Sequence, residues 1–307
     1  MKRFIALALA LILSAAFITA AAATAQADFT ASAKGENTPP TAEDMVVQTY
    51  KNTPRTLPFD AEDADGDALE FALVSPPSKG EVTLGADGTF TYTPAEGKSG
   101  RDTFVYTAAD PSGAVSREAL VTVDIGRKAP KVEYSDTAGT GVEYEAARLA
   151  QEGIFVGEQI NGLYCFSPEK TVSRGEFLAM TVNAAGIETL DVLSAGFDDD
   201  AETAAWQTGY IAAAREAGVI GGIELDGLRL FQSARPITGK EACRVVTGLM
   251  GFEAQGMIET AAGEEAWAVT AVMAAEQNDF SARDAFSGGD ITRADAAKII
   301  VSMLEHQ

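Results

Sequence analysis

The stretch VSRGEFLAMTVNAAG, residues 172–186, contains a complete set of helix signals. Its apolar residues recur at the i, i+3, i+4 and i+7 spacing that places them on one face of a helix. Ser173 and Glu176 match the S/T-x-x-E pattern of a capping box, in which the hydroxyl and the acid each accept a backbone N–H at the helix start. Gly186 follows where a left-handed residue commonly ends a helix. We therefore expect one capped amphipathic helix here.

The same pattern returns twice, in ITGKEACRVVTGLMG (237–251) and ITRADAAKIIVSML (291–304). Each copy is preceded by an aromatic residue and, further upstream, by a second segment with helical periodicity. The first two copies also begin with an aromatic-x-Asp motif, YSD and FDD. The unit recurs about every 55–65 residues, which indicates a repeat architecture. The repeats are predicted at residues 132–187, 196–252 and 260–307.

Helix capping explains the hydroxyl and the acid of these motifs, but it does not require the arginine that follows the hydroxyl. Arg174 and Arg293 occupy this position in the first and third copies, whereas the second copy has Gly239 there and Lys240 next. An arginine offers a planar pair of donors that fits a carboxylate, and a helix N-terminus favours anions. A lysine would act only as a point charge. The alternative is that these are solvated surface residues.

The repeated unit resembles the S-layer homology repeat, and the resemblance covers residues 132–307. In that family three repeats fold into a helical pseudo-trimer, and they attach exported proteins noncovalently to cell-wall polysaccharide, often a pyruvylated one. The resemblance implies an all-α C-terminal region. It also implies that Arg174 and Arg293 lie in grooves between repeats and grip an acidic sugar.

The candidate polysaccharide-binding residues are basic and acidic residues of the cap motifs and two tryptophans of the upstream helices: Arg174, Arg293, Lys240, Glu176, Glu241, Asp295, Trp206 and Trp267. The two tryptophans could stack on sugar rings, but their helical spacing favours a packing role between helices. Because Gly239 replaces the arginine, a binding role of the second motif depends on Lys240.

Residues 37–126 have a different character, with alternating apolar and polar residues in TFTYTP (89–94), DTFVYTAAD (102–110) and REALVTVDI (117–125). Turn-forming clusters such as DADGD and GADG separate these runs, which predicts short strands at regular spacing and a β-sandwich. The order of these motifs resembles a bacterial cadherin-like or Ig-like tandem-repeat domain. Residues 127–131 form a joint to the repeats.

The segment LPFDAEDADGDALE (57–70) crowds acidic side chains into one short loop. Calcium takes about six to eight oxygen ligands, and the acids would repel one another without a cation. Asp-Gly pairs also make turns without any metal, which is the alternative. Two acids outside the loop could complete the shell, so the candidate calcium ligands are Asp60, Glu62, Asp63, Asp65, Asp67, Asp102 and Asp110.

Residues 1–27 begin with Lys2 and Arg3, continue as a long apolar run and end in Ala-Gln-Ala. This is the pattern of a cleaved signal peptide, although the run is also long enough for a retained membrane anchor. Either alternative exports the chain, so we expect a location on the cell wall or S-layer surface. The small polar residues 28–36 are predicted to form a linker.

The composition argues against several kinds of function. The net charge of −22 opposes binding to nucleic acid. The single histidine, His306, excludes a Ser-His-Asp triad and a multi-histidine zinc site. Cys165 and Cys243 allow one disulfide, and a buried free thiol at Cys243 is the alternative.

We therefore expect a multidomain, non-enzymatic surface protein with an N-terminal cadherin/Ig-like β-sandwich and a C-terminal all-α pseudo-trimer of S-layer homology repeats. In the first interpretation the repeats anchor the chain to wall polysaccharide, and the β-sandwich is a spacer or binds a surface protein or glycan. In the alternative, calcium-dependent adhesion by the β-sandwich is the main activity. A secreted carbohydrate-active enzyme is a remote alternative, because carboxylates are plentiful but no further stretch is long enough for a catalytic domain.

Overall fold

The structure is a computed structural model, and it describes residues 37–255, 266–278, 280, 286 and 289–306. The predicted leader and linker, residues 1–36, lie outside this set, as do parts of the third predicted repeat. Within the described residues, no helix combines the length and the apolar composition that a membrane crossing requires.

The chain forms two compact units. Unit 1 comprises the described residues up to Met45 together with Phe59–Ser75 and Val105–Leu120. Unit 2 comprises Val46–Pro58, Pro76–Phe104 and the chain from Val121 onward. Each unit therefore contains part of the predicted β domain, and unit 2 also contains the predicted repeats.

Short strands make up the described part of the β domain, as its alternating pattern predicts. The strands are β1 (Thr41–Ala42), β2 (Met45–Thr49), β3 (Arg55–Pro58), β4 (Ala61–Glu62), β5 (Glu70–Ser75), β6 (Gly80–Leu84), β7 (Thr89–Pro94), β8 (Gly100–Ala109) and β9 (Ala119–Ile125). They form a four-stranded sheet in the order β2-β9-β8-β5, a three-stranded sheet in the order β3-β7-β6, and a β1-β4 pair.

The aromatic core of unit 1 forms around Tyr106. Its ring centroid lies 4.4 Å from that of Phe59, which stacks on Phe71 at 4.6 Å. The Tyr106 hydroxyl donates to the carbonyl of Asp60 at 2.8 Å and lies 2.9 Å from that of Glu43. Because a buried hydroxyl needs a partner, these carbonyls explain how a tyrosine is accommodated here. Burial also raises the pKa of Tyr106 to about 12.

In unit 2 the three-stranded sheet is antiparallel. Strand β3 pairs with β7 so that Arg55 stands opposite Tyr92. The rings of Phe90 and Phe104 meet edge to face at a centroid distance of 5.3 Å, a preferred geometry for buried aromatic pairs. The inward residues of β7 are buried while their neighbours are more exposed, which is the period-2 pattern that the sequence predicts.

The described helices of the repeat region also lie in unit 2. They are α1 (Glu143–Glu152), α2 (Arg174–Ala184), α3 (Ala205–Glu216), α4 (Gly239–Met250), α5 (Ala266–Gln277) and α6 (Arg293–His306). A short 3-10 helix, Asp200–Glu202, precedes α3. Helices α1, α3 and α5 are the upstream helices of the three copies, and α2, α4 and α6 are the capped ones.

Two short hairpins interrupt the helices, so the expectation of an all-α region is wrong. The antiparallel pairs are β10 (Glu158–Ile160) with β11 (Leu163–Cys165) and β12 (Ile223–Leu225) with β13 (Leu228–Leu230). Their two-residue turns are Asn161-Gly162 and Asp226-Gly227, and all four turn residues have positive φ. Asn-Gly and Asp-Gly favour this hairpin turn, which explains why strands form here.

All three predicted capping boxes are confirmed. Ser173 Oγ accepts from Glu176 N at 3.2 Å, and the Glu176 carboxylate accepts from Ser173 N at 3.0 Å. The same reciprocal bonds join Thr238 with Glu241 and Thr292 with Asp295. They satisfy donors that a helix N-terminus otherwise leaves free. The three capped helices therefore begin in the same way.

The segments before the three caps hydrogen-bond to one another in a closed ring. The backbone N–H of Val172 donates to the carbonyl of Ile291, Ile291 donates to Ile237, and Ile237 donates to Val172, at 3.1, 3.0 and 3.0 Å. All three side chains are buried. Each copy is thus joined directly to the other two at one point of the core.

The helices pack mainly between copies. Helix α3 packs on α2, α5 packs on α4, and α1 packs on α6. Each upstream helix therefore rests on the capped helix of the preceding copy, and the first copy uses the last helix of the chain. This closing contact positions the start of α6 beside the loops of the first copy.

Candidate functional site

Arg293 lies at the start of α6, where the third copy meets the first. Its side chain is 8% exposed. Nη1 donates to the carbonyl of Phe166 at 3.0 Å, and Nη2 donates to Oε1 of Glu158 at 2.9 Å. The guanidinium carbon lies 4.9 Å from the ring centroid of Phe155. A buried guanidinium held against a ring and a carbonyl can present its remaining donors to an anion in a fixed geometry.

Asp136 holds the loop that receives Arg293. Its two carboxylate oxygens accept the backbone N–H groups of Phe166 and Ser167, each at 2.8 Å. Ser167 has a φ of 56°, a left-handed conformation that is uncommon for a serine. Asp136 therefore stabilises the bend from which the Phe166 carbonyl meets the guanidinium. Asp199 makes the equivalent two bonds in the second copy.

A cavity of about 290 Å³ opens beside Arg293. Its lining combines aromatic and polar side chains and includes Phe155, Glu158, Asn183, Trp206, Tyr210 and Arg293. Trp206 is 58% exposed, so the helix-packing interpretation does not describe it. The volume lies near the lower end of the range for small-ligand sites. The cavity therefore offers an accessible aromatic surface next to a buried cation.

Glu158 neutralises part of the positive charge at this junction. Besides Arg293, Lys170 donates to its Oε1 at 3.1 Å. The hydrogen bonds from Arg293 and Lys170 lower the pKa of Glu158 below its usual value, so it is a carboxylate at neutral pH. Arg293 and Lys170 both pair with Glu158, so these three side chains together have a net positive charge. The chain as a whole has a net charge of −22.

Arg174 occupies the corresponding place between the first and second copies. Its Nε donates to the carbonyl of Phe231 at 3.0 Å, and Nη1 donates to Oε1 of Glu241 at 2.8 Å. Arg235 also donates to Oε1 of Glu241. Burial would raise the pKa of Glu241, but hydrogen bonds from the Thr238 backbone and Arg235 and the charge of Arg174 lower it overall. Arg174 is thus neutralised by an acid of the capping box.

Backbone hydrogen bonds identify equivalent residues at the three junctions. The first N–H of each capped helix donates to a carbonyl of the next copy: Arg293 to Lys170, Arg174 to Arg235 and Gly239 to Gly289. Two junctions therefore contain two cations each, whereas the third has glycine at both positions. These backbone N–H groups are already hydrogen-bonded, so they are not available as donors to an anion.

The remaining candidates of the cap motifs are found in different settings. Glu176 and Asp295 are the acids of their capping boxes, and Glu176 also lines the cavity. Lys240 is exposed at the start of α4. Trp267 on α5 is 40% exposed and does not line this cavity. A polysaccharide contact by Lys240 or Trp267 stays a prediction.

The predicted calcium ligands are divided between the units. Asp60, Glu62, Asp63, Asp65, Asp67 and Asp110 belong to unit 1, whereas Asp102 belongs to unit 2. The Asp102 carboxylate accepts from the backbone of Ser78 and Lys79, at 3.0 and 2.8 Å, and from the Tyr92 hydroxyl at 2.9 Å. These bonds hold a turn of the sheet. Asp110 likewise accepts from the Asn37 amide at 2.8 Å and the Ala114 backbone at 2.9 Å.

The loop from Asp63 to Asp67 contains the feature that best fits a cation. Asp63 Oδ1 accepts the backbone N–H of Asp65 and Asp67, at 2.8 and 3.3 Å. The Oδ2 atoms of Asp63 and Asp67 are buried and find no hydrogen-bond partner among the described residues. However, nowhere in the described part of the chain do three or more His, Cys, Asp or Glu side chains converge as metal ligands. Calcium binding stays a prediction.

Sequence reasoning found both arginines but not the residues that hold and neutralise them. The YSD and FDD motifs contain Asp136 and Asp199, so a signal for these two was visible in the sequence. No local pattern points to Glu158, which is 135 residues away from Arg293 in the chain. Only the packing of the third copy against the first brings these two side chains together.

Residues 37–127 match the bacterial cadherin-like domain family, and residues 196–243 match the S-layer homology domain family. The chain carries a bacterial cadherin-like domain followed by an S-layer homology domain. Both matches agree with the order of regions expected from the sequence. The S-layer homology domain indicates association with the cell-wall surface, and its general kind of partner is cell-wall polysaccharide. The matched segment includes Trp206 of the cavity.

Three solved structures illustrate a weak likeness to this chain. The endo-fucoidan hydrolase MfFcnA4 from glycoside hydrolase family 107 is 17% identical with a TM-score of 0.26, covering 34% of this chain and 16% of that one. A putative alpha-galactosidase from Bacteroides fragilis is 14% identical with a TM-score of 0.25, covering 39% and 27%. The SrpA adhesin from Streptococcus sanguinis is 16% identical with a TM-score of 0.22, covering 38% and 78%. These scores are too low to support any statement about activity, and no curated protein matches the chain.

Proposed function

We propose that the chain is an exported, non-catalytic surface protein that three S-layer homology repeats hold noncovalently on acidic cell-wall polysaccharide. The observation that carries this proposal is Arg293, a buried cation beside a cavity whose lining includes the exposed ring of Trp206. The predicted leader supplies the export, and the cadherin-like domain is the part displayed outward as a spacer or adhesin.

Three repeats rather than one account for the geometry of the helical region. The cap segments form a closed ring of backbone hydrogen bonds, and the upstream helices pack on the capped helices of the neighbouring copies. Both features need three equivalent units in one assembly. They support a pseudo-trimer in which the junction that contains Arg293 is the candidate ligand groove.

The side chains at the Arg293 junction suit a sugar that carries a carboxylate. Arg293 and Lys170 supply positive charge, and charge-assisted hydrogen bonds to a carboxylate are stronger than neutral ones. Trp206 and Tyr210 provide aromatic surface for the apolar face of a sugar ring. Because the whole chain repels anions at long range, the affinity for an acidic polymer must come from such local cations.

The test is retention of the full exported chain on purified sacculi of the producing cell. We expect binding to sacculi that keep their polymer and release when the polymer is chemically stripped. Arg293→Lys keeps the charge but loses the planar fork, and Trp206→Ala removes the exposed ring. Each should weaken binding by about 10- to 100-fold, since a charged hydrogen bond or a stacked ring contributes roughly 1–3 kcal/mol.

The matched control is Arg229→Ala, which removes an exposed arginine whose one ion pair among the described residues is with Glu224 on the second hairpin. This variant should bind as the unmodified chain does. Equal retention on stripped and intact sacculi would contradict polysaccharide anchoring, as would full retention of both Arg293→Lys and Trp206→Ala. Circular dichroism of each variant excludes loss of folding as the cause.

A second candidate function is calcium-dependent adhesion by the cadherin-like domain. The specific observation in its favour is the pair of buried, partnerless oxygens Asp63 Oδ2 and Asp67 Oδ2. Such oxygens are costly unless a cation or a proton compensates them. Asp65 accepts the backbone N–H of Thr38 at 2.7 Å and would remain a structural residue of the loop.

Calcium should raise the melting temperature of the chain if the loop binds it, because a ligand stabilises the state that holds it. Asp63→Asn should abolish this shift, whereas Asp87→Asn, in an exposed turn of unit 2, should retain it. No shift at millimolar calcium, or the same shift in the Asp63→Asn variant, would count against this second function.

A further inference from the structure

The arginines of the two cationic junctions are neutralised by acids that are held in different ways. Arg174 pairs with Glu241, which lies on α4 in the capping box of the second copy. Arg293 pairs with Glu158, which lies on the short hairpin strand β10. The two carboxylates therefore differ in how easily they can separate from their arginines.

Glu241 is fixed by contacts through both of its oxygens. Oε2 accepts from the backbone N–H and the hydroxyl of Thr238, at 3.1 and 3.2 Å. Oε1 accepts from Arg174 at 2.8 Å and from Arg235. Moving this carboxylate would break the helix cap and remove the only described acid that pairs with Arg174 and Arg235, so we regard the Arg174 junction as closed.

Glu158 has neither of these restraints. Its side chain is 48% exposed, and the described hydrogen bonds of its carboxylate are those that Oε1 accepts from Arg293 and Lys170. The corresponding residue of the second hairpin is Ile223, because Glu158 pairs with Cys165 as Ile223 pairs with Leu230. The hairpin itself therefore does not require an acid at this position.

We propose that Glu158 is an exchangeable internal carboxylate. It occupies the anion-binding position beside Arg293 and Lys170 until the carboxylate of a ligand replaces it. The inference rests on the proposed function. It adds that the Glu158 carboxylate competes with the carboxylate of the sugar for Arg293 and so lowers the affinity of the chain for the sugar. The ligand class is a sugar with a single carboxylate, since Arg293 and Lys170 converge on one oxygen of one carboxylate. Only this junction, and not that of Arg174, exchanges its acid.

The test compares variants of the full exported chain by calorimetric titration. The probe is the pyruvate ketal of a methyl hexoside, and its methyl ester is the uncharged control ligand. Glu158→Gln keeps the size of the side chain but removes the competing charge, so it should bind the ketal about tenfold more tightly. Glu158→Asp, which is too short to span the same distance, should change the affinity in the same direction.

The matched control variant is Glu224→Gln, which removes an exposed acid from the second hairpin with the same change of net charge. Its affinity for the ketal should equal that of the unmodified chain. Neither substitution should increase the affinity of the chain for the uncharged methyl ester. The comparison shows whether tighter binding by Glu158→Gln comes from the loss of the acid that pairs with Arg293 or from the lower negative charge of the whole chain.

Equal or weaker binding of the ketal by Glu158→Gln overturns the proposal. Equal binding would mean that Glu158 does not affect the ligand, and weaker binding would mean that Glu158 helps to bind it. If no form binds the ketal while the chain still binds intact sacculi, the exchange is overturned and wall anchoring stands. Loss of both kinds of binding overturns the exchange and the proposed function together.

Discussion

The Nε atom of Arg55 lies 3.8 Å from Oε1 of Glu145 in the interior of unit 2, and each side chain is 5% exposed. Arg55 Nη2 also donates to Oε2 of Glu305 at 2.7 Å, and its guanidinium carbon lies 4.1 Å from the Tyr144 ring centroid. One cation thus joins strand β3 to helices α1 and α6. Oε2 of Glu145 has no hydrogen-bond partner among the described residues, so its charge is poorly compensated.

Glu145 should make the stability of the chain depend on pH. Burial raises its pKa from 4.5 to about 7, although the charge of Arg55 opposes the shift. The folded state therefore binds this proton more tightly than the unfolded state, and the resulting stability is present below about pH 4.5 and lost as the pH rises through 7. Glu145→Gln should remove this loss, which amounts to at most about 3 kcal/mol.

The measurement is urea unfolding of both forms at several values between about pH 4 and pH 8. The surface control is Glu133→Gln, which removes an exposed acid that precedes the same helix in the chain. A constant difference in stability between Glu145→Gln and the unmodified chain over this range would show that Glu145 does not titrate there.

Arg55→Met should be strongly destabilising. It removes the cation that Glu145 and Glu305 share, and breaking a buried pair in this way costs about 3–5 kcal/mol. Adding Glu145→Gln to this variant should recover part of the loss, because a glutamine is neutral at every pH and does not need the cation. Urea midpoints of the single and double variants test this, and equal stabilities of the two would contradict the pairing.

Asp136→Asn and Asp199→Asn should separate stability from binding. Each substitution replaces an acceptor of two backbone N–H groups and should cost about 1–3 kcal/mol of unfolding free energy. Only Asp136→Asn should also reduce retention on sacculi, because Asp136 shapes the loop that receives Arg293. Melting curves and sacculus binding of both variants are the readouts, and an equal loss of binding in the two would refute the distinction.

Glu241→Gln should destabilise the chain more than Glu176→Gln. Both acids complete a capping box, but Glu241 also neutralises Arg174 and Arg235. We expect a cost of about 2–3 kcal/mol for Glu241→Gln and below about 1 kcal/mol for Glu176→Gln. Chemical denaturation compares them directly, and the reverse order would mean that the capping bonds dominate.

Both cysteines are free in the structure, so reductant should not change the melting temperature. Cys243 is buried, and burial raises its pKa to about 12, whereas Cys165 is half-buried. Because the thiolate is the reactive form, Cys243 should resist alkylation in the folded chain and react after denaturation. Mass spectrometry after native and denaturing alkylation checks this. A mass consistent with a Cys165–Cys243 disulfide would contradict it.

The local features of the helical region were predictable because they depend on neighbours in the chain. Ser173, Glu176 and Gly186 act within one or two helical turns, and the capping box and the left-handed glycine both occur as expected. The hairpin after α1 was missed, although Asn161-Gly162 carries a recognised turn signal, because the helical resemblance outweighed it. The alternating strands of the β domain were likewise predictable from their period.

The sequence by itself determined the order of the regions, the three cap motifs and the presence of Arg174 and Arg293. Only the tertiary structure decided that Arg293 borders a cavity with Glu158 as its partner while Arg174 is closed by Glu241. The reason is that these contacts join residues of different copies, and their geometry depends on how helices from separate repeats close on one another. Local periodicity does not encode that closure, because each copy contains nearly the same signals.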